Sequence, residues 1–177
     1  MKIQDIEHWV GYLEHQTPDQ LFAFRENVGK GFCTVFALMV QIAQGINLQE
    51  LPWCATFVHA VINRPDILGK AHPGTRVLAR RMKRKRLWRG RDYVPEPGDL
   101  IFCTNQPYTR RRINHVGVVG TVSEADGTIQ SIDGNTHDPS GTFAWEDGGA
   151  VARRTRDKDD PHIIGYGATG HLLDIEN

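Results

Sequence analysis

Along the first third of the chain, apolar residues recur at helical spacing. In IQDIEHWVGYLEH, Ile3, Ile6, Val10 and Leu13 lie three or four apart, which predicts an N-terminal helix. Thr17-Pro18-Asp19-Gln20 then has the polar cap and proline of a second helix start. TVFALMVQIAQG, Thr34 to Gly45, is mostly apolar and closes on a glycine, the pattern of a buried helix with a glycine stop. In PWCATFVHAVI, Phe57, Val58, Val61 and Ile62 share one helical face behind Pro52, so Cys54 falls in the first turn. Arg76 to Arg86 predicts one more short helix, with Leu78 and Met82 inward and the arginines outward.

Beyond Pro95 the period shortens. EPGDLIFCT, HVGVVGTV, TIQSIDGN, GAVARRTR and HIIGYGAT read as strands parted by turn residues, with Asp126-Gly127 as a hairpin turn. Helices followed by strands imply an α+β domain, its helices packed on a largely antiparallel sheet of five to six strands. Residues 1–28 are expected to be a helical extension packed on a domain spanning 29–177.

Composition narrows the function classes. With 177 residues the chain is long enough for one real core and short for two. Lys plus Arg and Asp plus Glu are both 21, which argues against bulk nucleic-acid binding. The charge is unevenly placed, however: RVLARRMKRKRLWRGR, Arg76 to Arg91, has nine basic residues and no acid, a candidate surface for an anionic polymer. Cys33, Cys54 and Cys103 are odd in number and lack C-x-x-C spacing, against a disulfide framework or a zinc ribbon, so Cys33 and Cys103 are expected in the core. No apolar run has the length of a membrane span, and the first residues lack the pattern of a secretory signal. The expectation is a monomer, made in the cytoplasm, with no membrane partner.

The candidate chemistry starts at Cys54. In a first helical turn, unpaired N–H groups and the positive end of the macrodipole favour an anion, so a thiol nucleophile would be placed there. Such a nucleophile needs a base, and the base needs a group to hold its ring. His115 opens the strand HVGVVGTV, and Asp133 and Asn135 close the next, so antiparallel pairing brings them together. Either could orient the ring; Asp133 is preferred, because a carboxylate stabilises imidazolium by charge as well as by hydrogen bonding. Asn135 would then contact substrate or brace its loop. Trp53 is expected in the core with one edge in the substrate groove, His59 on a solvated helix face, and His137 in a loop.

These segments resemble the CHAP branch of the NlpC/P60 superfamily of papain-like peptidoglycan hydrolases. The residues that carry the resemblance are PWCATFVHAV, VPEPGDLIF, NHVGVVGTV, IQSIDGN and HIIGYG, in the family's order, over Gly29 to Gly167. The resemblance implies a Cys-His-(Asp/Asn) thiol hydrolase that needs no metal or cofactor. Cys54 is its nucleophile, His115 its base, and Asp133 and Asn135 complete its site. The implied substrate is bacterial peptidoglycan, cut at an amide bond in the peptide stem or cross-bridge. A phage or prophage lysin, or an effector delivered into a rival cell, would act on the wall without a signal segment of its own. Related readings are a thiol protease or deconjugase acting elsewhere, an acyltransferase of the same superfamily, or a non-enzymatic protein that binds through its basic patch.

Overall fold

The computed structural model describes residues 3–23, 27–107, 112–137 and 148–173. The helices are α1 (Ile3–Glu7), α2 (Val35–Gln44), α3 (Cys54–Ile62), α4 (Pro65–Leu68) and α5 (Thr75–Arg84). They precede strands β1 (Trp88–Arg89), β2 (Leu100–Cys103), β3 (His115–Ser123), β4 (Thr128–Thr136), β5 (Ala150–Asp157) and β6 (Ile163–Gly167). All six strands join one antiparallel sheet in the order β1-β6-β2-β3-β4-β5, the α+β arrangement expected.

Local chemistry sets the helix limits. Thr34 caps α2 by accepting the Ala37 N–H at 3.1 Å, and Gly45, at φ 69°, closes it by donating to the Gln41 carbonyl at 2.8 Å. The start of α3 has no side-chain cap, so the N–H groups of its first turn, which no helical carbonyl can accept, stay beside Cys54. Its other end turns on Asn63 in the left-handed region, φ 46°.

Alternation divides the strands between two apolar layers. Leu100, Phe102, Val116, Val118 and Ile132 pack with Phe36, Trp53, Phe57, Leu78 and Met82 from the helices. Ile101, Cys103, Val119, Ile129, Ile163 and Tyr166 form a smaller cluster. α3 lies against β3 and β4, which makes it the element that carries Cys54 to the sheet.

The N-terminal segment departs from expectation. Its helix ends at Glu7, and the expected helix start at Thr17 is a turn held by Asn27, whose Nδ2 donates to Thr17 Oγ1 at 2.8 Å and to the Asp19 carbonyl at 3.1 Å. Gly11, at φ +94°, breaks the helix, and the chain then runs along β5. Gly11 N–H donates to the Val151 carbonyl, Val151 N–H to the Tyr12 carbonyl, and Glu14 N–H to the Gly149 carbonyl. The apolar spacing was compatible with a helix, but pairing with the exposed side of β5 buries Tyr12 and Leu13 and gives the Gly11 and Glu14 N–H groups and the Tyr12 carbonyl their partners. Ile6, Tyr12 and Leu21 share the main core with the helices, so the extension is part of one hydrophobic unit.

Candidate active site

Cys54 begins α3 because the residue before it is anchored. Trp53 is fully buried, its ring stacked on Phe36 with centroids 5.6 Å apart, and its indole N–H donates to the buried Glu14 carboxylate at 2.8 Å. This corrects the expectation of a substrate contact: a side chain with 0% exposure has no edge to offer the groove. Trp53 acts instead as a rivet that fixes where the helix starts. Gly134 of β4 passes close beneath it, since a Cβ there would sit 2.5 Å from Phe57 and 2.8 Å from the Trp53 ring.

His115, the first residue of β3, meets Cys54 at the end of the sheet. Its Nε2 lies 2.9 Å from Asp133 Oδ2, and the Cys54 side chain is near enough to act on the ring electrostatically. The pairing of Val118 with Ile132 sets Asp133 against Gly117, and the missing side chain matters: a Cβ at Gly117 would lie 1.9 Å from Asp133 Oδ1. Gly117 is the space into which the carboxylate fits.

Two further residues hold that carboxylate. Ser131 Oγ donates to Asp133 Oδ1 at 2.7 Å, and Arg156 on β5 donates to Asp133 Oδ2 and to Ser131 Oγ, both at 2.6 Å. The Asp133 side chain has 0% exposure, Arg156 12% and His115 21%, so the network is shielded from bulk screening. Burial would raise the Asp133 carboxyl, but the Arg156 charge, the His115 contact and the Ser131 hydrogen bond hold it well below the usual carboxylate range. Burial likewise pushes His115 down, and is outweighed by the bond and charge of Asp133 and by Cys54, which together lift it to about 10. The histidine therefore carries its proton near neutral pH, facing a sulfur on one side and a carboxylate on the other.

Asn135 takes a different place. Pairing of β4 with β5 shifts between Asp133 and Thr136, and Asn135 adopts φ 54°, which ends the strand alternation that would have set it beside Asp133. Among the described residues its buried Oδ1 has no hydrogen-bond partner, and the residue lines the groove. Gln49, the nearest upstream glutamine, is tied to Thr34, accepting its N–H at 2.8 Å and donating to its carbonyl at 3.0 Å. His137 lines the groove with Asn135. His59 corrects a second expectation. It is 1% exposed, and burial, then the charge of Arg81 and the nearness of His72, lower it to about 4.

Arg156, Ser131, Gly117 and Glu14 were not picked out by motif reasoning. A signal existed for Arg156 and Ser131. Once the strands are in register, Ser131 opposes Arg154 and Ile129 opposes Arg156, which puts both arginines on the sheet face of Asp133. Glu14 had no such signal, because it meets Trp53 across 39 residues of sequence.

Cys54 lies on the floor of an open groove with two limbs, of about 740 and 550 Å³, that share Pro52, Cys54, Asn105 and Asn114. In such an arrangement the Cys54 sulfur can attack a carbonyl carbon, the uncapped N–H groups of α3 can receive the oxyanion, and the His115 imidazolium can protonate a leaving nitrogen.

The CHAP domain family matches residues 26–135, and the chain belongs to that family. Among solved structures it is similar to the crystal structure of an N-acetylmuramoyl-L-alanine amidase from Staphylococcus aureus, with 17% identity and a TM-score of 0.36. That similarity covers 66% of this chain, which spans 31% of the amidase chain. Among curated proteins none matches.

Proposed function

We propose that this protein is a peptidoglycan hydrolase that cleaves an amide bond in the peptide part of the bacterial wall by thiol catalysis. Membership of the CHAP family supports the substrate class. The contact of Cys54 with His115, and of His115 with Asp133 at 2.9 Å, on the floor of a groove, is the observation that carries the mechanism.

In this mechanism the Cys54 sulfur attacks the carbonyl carbon with the shared proton already on His115. The oxyanion that forms is met by the Cys54 N–H at the head of α3. The carbon–nitrogen bond then breaks, the His115 proton goes to the leaving nitrogen, and the acyl group remains on sulfur as a thioester. Water attacks that thioester, giving a proton to His115, and the thiol is restored with release of the acid.

Arg156 holds Asp133 in place by two bonds to the Asp133–Ser131 unit. Asp133 fixes the ring and its tautomer, while Asn135, on its bulge, contacts substrate or braces the loop. The protein reaches the wall as a lysin on release or as a delivered effector.

Purified protein on isolated walls tests the proposal, with new amino groups and new reducing sugar ends counted separately. Amino groups should appear without reducing ends, and Cys54→Ala should release neither. Reducing ends in their place would make the enzyme a glycan cutter and overturn the reading.

A further inference from the structure

The cations of the run Arg76 to Arg91 are not all engaged alike. Arg81 donates to the carbonyls of Leu68 and Lys70, Lys85 to that of Asp66, Arg89 to those of Arg86 and Trp88, and Arg91 to those of Asp159 and Asp160. These cations tie loops together. Arg76 and Arg80, one turn apart on the exposed side of α5, point elsewhere: both line the larger limb of the groove.

His72 and Arg112 line the same limb, and among the described residues no aspartate or glutamate does. Among the described residues none of Arg76, Arg80 and Arg112 has an ion-pair partner. His72 adds a donor. Its Nδ1 accepts the Gly74 N–H at 2.9 Å, so the proton of the neutral ring is on Nε2. Unpaired guanidinium groups along a concave surface form a field that favours an anion, and their planar forks match a carboxylate.

The chemistry assigns that anion to one half of the substrate. His115 lines the smaller limb and not the larger. Since His115 must deliver its proton to the leaving nitrogen, the leaving amine lies in the smaller limb and the acyl half in the other. We propose, building on the hydrolase reading above, that Arg76, Arg80 and Arg112 form an anion subsite that selects a carboxylate on the acyl side of the scissile amide. The cations then act on the choice of bond within the active-site groove.

The test uses soluble glycopeptides released from walls with a glycan-cutting enzyme, either native or with their carboxylates converted to carboxamides by carbodiimide and ammonia. An Arg76→Gln/Arg80→Gln double variant should raise KM on the native glycopeptides by about tenfold with little change in kcat, because the lost contact serves binding in ground and transition states alike. The same variant should leave KM on the amidated glycopeptides unchanged, and Arg84→Gln, exposed on α5 outside the limb, should match the parent on both. Equal loss on both substrates, or no loss on either, would overturn the subsite. So would a defect confined to intact walls that disappears when phosphate polymers are stripped, which would make the phosphates the ligand.

A binding measurement separates this inference from the hydrolase reading. In a Cys54→Ala background, native glycopeptides should bind more tightly than amidated ones, and the two arginine substitutions should close that gap. If the parent cleaves no glycopeptide but the gap is present, the hydrolase reading fails and the subsite stands. Absence of the gap refutes the subsite whatever the activity.

Discussion

Two cysteines flank the same histidine and have opposite surroundings. Cys103 pairs with His115 across β2 and β3, whereas Cys54 reaches the His115 ring from the head of α3. Burial does not separate them, since Cys54 is 4% and Cys103 5% exposed. Their neighbours do. Cys103, which also lines the smaller limb of the groove, packs with Ile101, Val119 and Tyr166, and burial pushes its thiol up to about 12, with the Asp133 carboxylate adding to the effect against the opposing charge of Arg156. Cys54 faces a protonated imidazole beside uncapped helical N–H groups. A thiol becomes a nucleophile through what it faces, and equal burial can hold either an inert sulfur or a reactive one.

The largest expected effect breaks this comparison directly. Cys54→Ala should lower turnover on isolated walls by at least about 10³-fold with the unfolding midpoint nearly unchanged. Cys103→Ala should keep turnover and cost about 1–2 kcal/mol in denaturant unfolding, the price of a small core cavity. If instead Cys103→Ala silenced the enzyme and Cys54→Ala did not, the assignment of nucleophile would be wrong.

Removing the charge behind the histidine comes next. Asp133→Asn should reduce kcat by about 10²–10⁴-fold, the range for loss of an orienting carboxylate. Its sign in pH is fixed: Asp133 raises His115, so the alkaline limb of activity, set near 10 in the parent, should move down in the variant. Asn135→Asp should be milder. An unmoved alkaline limb in Asp133→Asn would separate Asp133 from the active histidine.

A geometric variant sharpens the point. Gly117→Ala adds a methyl where the Asp133 oxygen lies 1.9 Å away, so the carboxylate must shift and His115 with it. A displacement of about 1 Å is expected to cost on the order of 10²-fold in kcat, measured beside an unfolding curve that shows the fold retained.

The remaining effects are on stability. Arg156→Gln leaves a buried carboxylate short of a cation and should cost about 3–5 kcal/mol in chemical denaturation, much of it recovered when Asp133→Asn is added. His59 gives a smaller effect with a defined sign. Its folded value, about 4, is below the ordinary 6.5, so the unfolded chain binds this proton first and stability is lost as pH falls from 6.5 towards 4. Between about pH 7 and 5 that amounts to roughly 2 kcal/mol, and His59→Leu should remove this part of the pH dependence.

Much of this was legible in the chain. Thr34 and Gly45 bound α2, the period-two runs after Pro95 became the strands, and Cys54, His115 and Asp133 stood out by residue type and order. Those features are local: caps, turns and alternation depend on neighbours within a few residues, and so they are written in the sequence itself. Two short elements, α4 and β1, were too brief to have a period. The stretch from Ile3 to Leu13 had a helical period that lost to pairing with β5, a partner more than a hundred residues away.

Tertiary structure alone decided the finer arrangement of the site. The order of the strands put Arg156 under Asp133, the register put Gly117 where a carboxylate needed room, and the bulge after Asp133 removed Asn135 from the alternation. Trp53, expected in the core with one edge in the groove, shows no edge there, because its N–H turns inward to Glu14. His59, polar and helical, went inward because α3 is buried on nearly every side. The sequence by itself determined which groups were present and which secondary elements would carry them. Which of those groups touch was decided by packing, because a contact distance depends on every element between two residues and no local pattern encodes it.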